Sequence, residues 1–295
     1  MINAFMKKLG EKSYLRDLKR IDSSTLHNDI LKVKDIRYVN DHLIEHTLDV
    51  YYKSDNRFKP VVIDIHGGGF ISCYKEMDAL FANCLAQRDF VVFCVNYRLA
   101  YPRFNVFDQI EDIANAMRWI VSNAEKYEGD TNEMYIAGHS AGGVLAIAES
   151  LLCTDEKMRE AFHIDDRNYA YRGIILDCGL MHFYKNTLAY RGMRNMVFPK
   201  GYKRMDKYQY LIFEKHSKLK TLPKTVLFTN KKDTLRKMTY YFKRVLDAHH
   251  VDHRLFDVGT DGHMGIIFHT YSDENQRIMD DVQEYFEIGE RAIDD

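Results

Sequence analysis

The hydrophobic positions of this chain fall into two patterns. "VVIDIHG" from residue 61, "FVVFCVNY" from 90, "MYIAG" from 134, "GIILDCG" from 173 and "KTVLFTN" from 224 are short runs that are apolar at nearly every position. Such runs read as strands buried on both faces, the habit of a parallel sheet covered by helices. Between them the apolar residues recur every three or four positions. This is so in "EMDALFANCLAQ", along Ile110, Ile113, Met117, Ile120, Val121 and Ala124, in "AGGVLAIAESLLC", and along Leu235, Met238, Phe242, Val245 and Leu246. A closing stripe runs through Ile278, Val282, Tyr285 and Phe286. These predict helices, the second opening on a capping box of Asp108 and Glu111. "DIRYVN" and "TLDVYY" predict a hairpin ahead of the parallel strands, and "HRLFDV" a short last strand. The alternation predicts an α/β fold with a doubly wound, mostly parallel sheet.

Composition narrows the class of partner. With 295 residues and 46% hydrophobic content, the chain can bury one large core, and a single domain spanning 1–295 is expected. Lys and Arg number 42 against 43 Asp and Glu, so there is no basic field to attract nucleic acid. The opening "MINAFMKKLGEKSYLRDLKR" is too charged for a secretory signal, and no run approaches the ~20 apolar residues of a bilayer span. A soluble, cytoplasmic protein is expected, with homo-oligomerisation left open. The five cysteines, Cys73, Cys84, Cys94, Cys153 and Cys178, form no CxxC pair and lie at no zinc-ligand spacing from histidine. They read as buried or half-buried thiols, with no metal site.

Chemistry enters where the strands end. In "YIAGHSAGG", Ser140 stands between two glycines after a strand and before a helix, a setting in which a strained turn lifts the hydroxyl out of the sheet while the helix N-terminus aims N–H groups at the same place. Alone, the motif is also an N-cap in a glycine turn. "HGGGF", residues 66–70, ends the first buried strand, and its amides could donate to a developing oxyanion. His66 is expected to orient that loop and not to act as base, and the His139 side chain to point away from Ser140. A serine needs a base oriented by an acid. Among thirteen histidines, His263 in "DGHMG" lies in a glycine-flanked loop beyond the last short strand and is the candidate base. Asp233 in "TNKKDTL" is the candidate acid, with Asp177 as its rival; Asp261 is too near His263 in sequence. Ligands of doubly wound sheets bind beyond the carboxyl ends of strands, where all these residues fall.

"HGGGF", "YRLAYP", "GHSAGG", "KKDTL" and "DGHMG" occur in an order that resembles the α/β-hydrolase superfamily, in the branch of hormone-sensitive lipase and its bacterial esterases, over residues 60 to 290. The histidine of "GHSAGG", where that branch often has aspartate, leans towards the feruloyl-esterase-like and formamidase-like neighbours. The chain departs from the pattern in lacking a proline after Asp233 and in placing Tyr101 where a Pro-Glu pair is common. The resemblance implies a triad of Ser140, Asp233 and His263, oxyanion N–H groups from Gly68, Gly69 and Ala141, and a loop shaped by Gly67. It implies hydrolysis of a small-molecule ester through an acyl-enzyme, without metal or cofactor. The alternatives are an amide, formamide or peptide hydrolase with the same machinery, and a non-catalytic ligand-binding protein. A cap over the acyl pocket is expected from residues 1–35 and from the 180–222 insertion, which interrupts the alternation. Phe70, Met181, Phe183 and Tyr184 are the candidate lining.

Overall fold

The computed structural model describes residues 2–21, 25–183, 188–259 and 262–288. Its centre is a sheet of strands β1 (Leu31–Arg37), β2 (Thr47–Tyr52), β3 (Lys59–Ile65), β4 (Val91–Val95), β5 (Gly129–His139), β6 (Tyr171–Asp177), β7 (Lys224–Thr229) and β8 (His253–Asp257). Their order is β1-β2-β4-β3-β5-β6-β7-β8. Pairs β1/β2 and β2/β4 are antiparallel and the other pairs parallel, so the predicted doubly wound sheet is present. The predicted hairpin is β1/β2, with β1 starting at Leu31 and its register shifting between Val33 and Ile36.

Period-two alternation divides each buried strand between two cores. Val61, Ile63, Ile65, Phe93, Ile136 and Leu176 face one, while Val62, Val92, Cys94, Tyr135, Ala137 and Ile175 face the other. The helices in chain order are α1 (Ile2–Leu18), α2 (Ala79–Gln87), α3 (Val106–Asn123), α4 (Gly142–Leu152), α5 (Glu156–Phe162), α6 (Leu188–Val197), α7 (Asp206–Gln209), α8 (Arg236–Ala248), α9 (Gly265–Phe268) and α10 (Asp273–Tyr285). Helices α3, α4 and α8 cover the first core, α2 and α10 the second. The predicted stripe of α8 is the buried one: Met238, Phe242, Val245 and Leu246 face the core and Leu235 packs at its edge.

The start of α3 differs from expectation. The helix begins at Val106, because the Asn105 side chain accepts the Phe107 N–H and Asp108 accepts the Asn105 N–H, so Asp108 closes the capping box instead of opening it. Helix α1 lies against the segment after the glycine loop, with Tyr14 edge-on to Tyr74 at 5.7 Å, whereas residues 31–35 of the expected cap run in β1. The insertion supplies α6, α7 and short 3-10 turns. Among the described residues no helix is long and apolar enough to cross a membrane. Four of the cysteines are buried and Cys153 is partly exposed.

Candidate active site

Three strand ends bring the candidate residues together. Strand β5 stops at His139 and α4 starts at Gly142, so only Ser140 and Ala141 make the turn. Ser140 sits at φ +50°, a left-handed conformation costly for a residue with a β-carbon. Its backbone is held on both sides: Ser140 N–H donates to the Asp177 carbonyl at 2.9 Å, and its own carbonyl accepts from Leu180 N–H at 2.7 Å. The following helix packs so closely on β3 that a β-carbon at Gly142 would lie 2.2 Å from the Ile65 carbonyl oxygen.

His263 lies beyond β8, with Ser140 Oγ 2.8 Å from its Nε2 and an Asp233 oxygen 2.8 Å from its Nδ1. The loop carrying it is clamped by Asn230, whose amide donates to the Gly262 carbonyl at 2.6 Å and accepts from Gly262 N–H at 3.2 Å. Asp233 also accepts from Leu235 N–H at 2.8 Å and from the Thr229 hydroxyl at 2.7 Å. Burial pushes the Asp233 carboxyl up, but the hydrogen bonds from His263, Leu235 N–H and Thr229 outweigh it and hold the group below its ordinary range. An ionised acid thus faces Nδ1–H, which leaves the Nε2 lone pair turned to the serine.

The rival Asp177 is engaged elsewhere. Its carboxylate lies 2.9 Å from His139 Nδ1, and His139 Nε2 lies 2.9 Å from Asp64, with all three side chains out of solvent. His139 therefore points away from Ser140, as expected, and ties the ends of β3, β5 and β6 beneath it. Burial alone would lower the imidazole's pKa, yet the charges of Asp64 and Asp78 and the hydrogen bonds it donates to Asp177 and Asp64 raise it well above the ordinary histidine value. Asp78 is wholly buried beside this network, and neither of its oxygens has a hydrogen-bond partner among the described residues. Burial and the nearby Asp64 charge push its carboxyl well up.

This network makes an expected result for stability. Replacing His139 with leucine leaves two buried carboxylates unpaired, a loss of about 3–5 kcal/mol in a urea denaturation. Because the folded value is raised, the imidazolium's contribution is complete below the unfolded histidine pKa and is lost as pH rises through the folded one. The gap between wild type and His139→Leu therefore narrows in alkaline buffer.

The glycine loop follows β3. His66 is fully buried, stacks on Tyr97 at 4.2 Å, and donates from Nδ1 to the Gly67 carbonyl at 2.9 Å, so it orients the loop as the sequence suggests. Burial pushes its pKa down to about 3, which leaves a neutral ring. The Tyr97 hydroxyl donates to the His66 and Gly67 carbonyls, and the Gln109 amide to the Phe70 carbonyl. Gly68 stands at φ +98°, where a β-carbon would meet the Ser72 carbonyl oxygen at 1.9 Å. Among the described residues no group accepts from the amides of Gly68, Gly69 or Ala141, which leaves three donors free at the two turns. Gly68→Ala is expected to displace this loop and slow ester turnover by about 10²–10³, the cost of losing one oxyanion donor. Steady-state kinetics beside an unchanged circular-dichroism spectrum would check it.

Phe70 and Met181 are wholly buried, and Phe183 nearly so. The Phe70 and Phe183 rings lie 5.7 Å apart, and Phe183 lines a cavity of about 490 Å³ with Tyr208, Leu211, Ile212 and Tyr241, with Glu214 and Lys215 also on its wall. Tyr184 and Asp261 lie outside the described residues. Sequence reasoning missed Asn230, Thr229 and the Asp64–His139–Asp177 chain, since single polar residues within or beside apolar strands have no spacing signature.

The fold is that of the α/β-hydrolases. The chain belongs to the BD-FAE family, whose profile matches residues 48–196. Among curated proteins it is 30% identical over 201 residues to a probable isoprenylcysteine alpha-carbonyl methylesterase of Oryza sativa subsp. japonica, covering 63% of this chain and 46% of that one. It is 40% identical over 97 residues to arylacetamide deacetylase of Bos taurus, covering 30% of this chain and 24% of that one. The chain thus spans less than half the length of these relatives. The fold superposes on an inhibited esterase B from Lactobacillus rhamnosis with a TM-score of 0.88 and 22% identity, covering 96% of this chain and 95% of that one. A bacterial heroin esterase superposes with a TM-score of 0.69 and 18% identity, covering 93% and 88%.

Proposed function

We propose that this protein is a serine carboxylic-ester hydrolase working through an acyl-enzyme. The observation that carries the reading is the unbroken pair of 2.8 Å hydrogen bonds from Ser140 through His263 to Asp233. Ser140 Oγ attacks the ester carbonyl while His263 Nε2 takes its proton, and Asp233 holds the ring in the tautomer that accepts it. Charge growing on the carbonyl oxygen is met by the amides of Gly68, Gly69 and Ala141 at the mouth of α4. His263 then returns the proton to the leaving alcohol, and a water activated by the same base releases the acid. No metal or cofactor takes part.

The names of the curated relatives, a methylesterase among them, support an ester as substrate. The deacetylase of arylacetamides supports amide cleavage as the second reading. A leaving group is chosen by the pocket and not by the triad, so both use the same residues. Helix α1 and the 180–222 insertion form the cap of a single domain, and the cavity behind Phe183 accepts the apolar part of the substrate beside Phe70 and Met181. Turnover on p-nitrophenyl acetate against an aryl-formamide, with fluorophosphonate labelling of Ser140, tests the proposal. Faster ester turnover supports it; preferred amide turnover moves the assignment to the second reading. A protein that neither labels nor turns over either substrate is a binding protein on a hydrolase fold.

A further inference from the structure

Cys178 is the first residue after β6, at φ +48° and only 1% exposed. Nothing in its sequence neighbourhood suggests a ligand set, yet tertiary placement supplies one. Its Sγ, a carboxylate oxygen of Asp233 and a ring nitrogen of His263 lie within 4.8 Å of one another. Sulfur, imidazole and carboxylate are the donors that zinc-like cations select. A second side of Cys178 borders a cavity of about 20 Å³, lined also by Asp177, Thr229, Asn230 and Gly265, which is room for one water-sized ligand.

We infer that Cys178, Asp233 and His263 form an inhibitory site for a thiophilic divalent cation such as Zn²⁺ or Cd²⁺. The inference rests on the triad reading given above. Metal–ligand bonds of about 2.0–2.3 Å require the three atoms to draw together from their present spacing. His263 makes that approach by rotation of its side chain, since its backbone is held at Gly262 by Asn230.

The charges and protons balance. Burial, then the charges of Asp177 and Asp233, push the thiol pKa well up, so Cys178 holds its proton in the metal-free protein. A divalent cation replaces that proton: the S–H bond breaks, a sulfur–metal bond forms and one proton leaves to solvent. Thiolate and carboxylate together neutralise the double charge. His263 binds through Nδ1, the nitrogen that faces Asp233, so its remaining proton moves to Nε2. A ring protonated at Nε2 cannot accept the proton of Ser140, and the charge of Asp233 is spent on the cation. Bound metal therefore stops hydrolysis while the fold stays in place. The other carboxylate–histidine cluster, Asp64, Asp78 and His139, offers no sulfur and is wholly buried, whereas His263 is partly exposed, so that cluster competes poorly.

The test titrates the full chain with CdCl₂, following the ultraviolet thiolate-to-cadmium band and, separately, inhibition of p-nitrophenyl acetate turnover by ZnCl₂, each variant scored against its own metal-free rate. The wild type is expected to give one thiolate band per chain and an inhibition reversed by EDTA. Cys178→Ser is expected to lose the band and to need at least about tenfold more zinc for half-inhibition, the worth of one strong ligand. Cys178→Ala provides the same comparison should the serine variant fail to fold. A band that persists in both variants, or equal zinc sensitivity in wild type and variants, overturns the site. A wild type that shows the band but hydrolyses neither ester nor amide leaves the metal site standing and overturns the triad reading instead.

Discussion

Ser140→Ala is expected to lower ester turnover by about 10⁴ or more while leaving the fold intact. The substitution removes only Oγ, the atom 2.8 Å from His263. The bonds that fix the turn run through the Ser140 backbone, from its N–H to the Asp177 carbonyl and to its carbonyl from Leu180 N–H, and alanine keeps both. Alanine also tolerates φ +50° no worse than serine does. Thermal unfolding should therefore be nearly unchanged, and covalent labelling by a fluorophosphonate should disappear. Retention of more than a tenth of the wild-type rate would mean that another group delivers the nucleophile, and the acyl-enzyme proposal would fall with it.

Asp233→Asn should cost almost as much, on the order of 10⁴ in turnover. An amide fills the same space and can still accept from Leu235 N–H, but it brings no charge to stabilise the imidazolium. Turned the other way, it donates to Nδ1 and forces the proton onto Nε2, the wrong tautomer for a base. Asp177→Asn provides the contrast. Its carboxylate faces His139 at 2.9 Å, so its loss weakens the buried network and lowers stability, with turnover falling far less than in Asp233→Asn. Measuring kcat and unfolding midpoint for both variants separates the roles. Should Asp177→Asn be the more damaging to turnover at equal stability, the acid of the triad is misassigned.

The contrast between these two aspartates shows where sequence reading reaches its limit. In sequence both stand where a buried strand ends, and both can be imagined beside His263. Asp177 leaves β6 in register with His139 of β5, and that pairing points its carboxylate at the buried side of the sheet. Asp233 sits four residues past the end of β7, far enough along its turn for the carboxylate to reach the solvent-facing edge where His263 stands. A shift of one residue in a strand exchanges faces, and only the register of neighbouring strands fixes it. The same limit explains the α3 start: Asn105 and Asp108 form as plausible a cap as Asp108 and Glu111 until the loop before the helix is in place.

By itself, the order of apolar runs and amphipathic stripes determined the layered α/β architecture, because burial on two faces and helical periodicity are properties of local sequence. Ser140 and the loop of His263 were legible as candidates for a related reason: tight turns demand glycines, and glycines at fixed offsets are visible in one dimension. Tertiary structure alone decided which carboxylate meets His263, that His139 braces the strands beneath Ser140, that Asn230 holds the His263 loop and Thr229 the Asp233 side chain, and that Cys178 stands beside Asp233 and His263. Apart from the contact of Thr229 with Asp233, those relations join segments 30 or more residues apart, which packing of the whole sheet sets and no local pattern encodes.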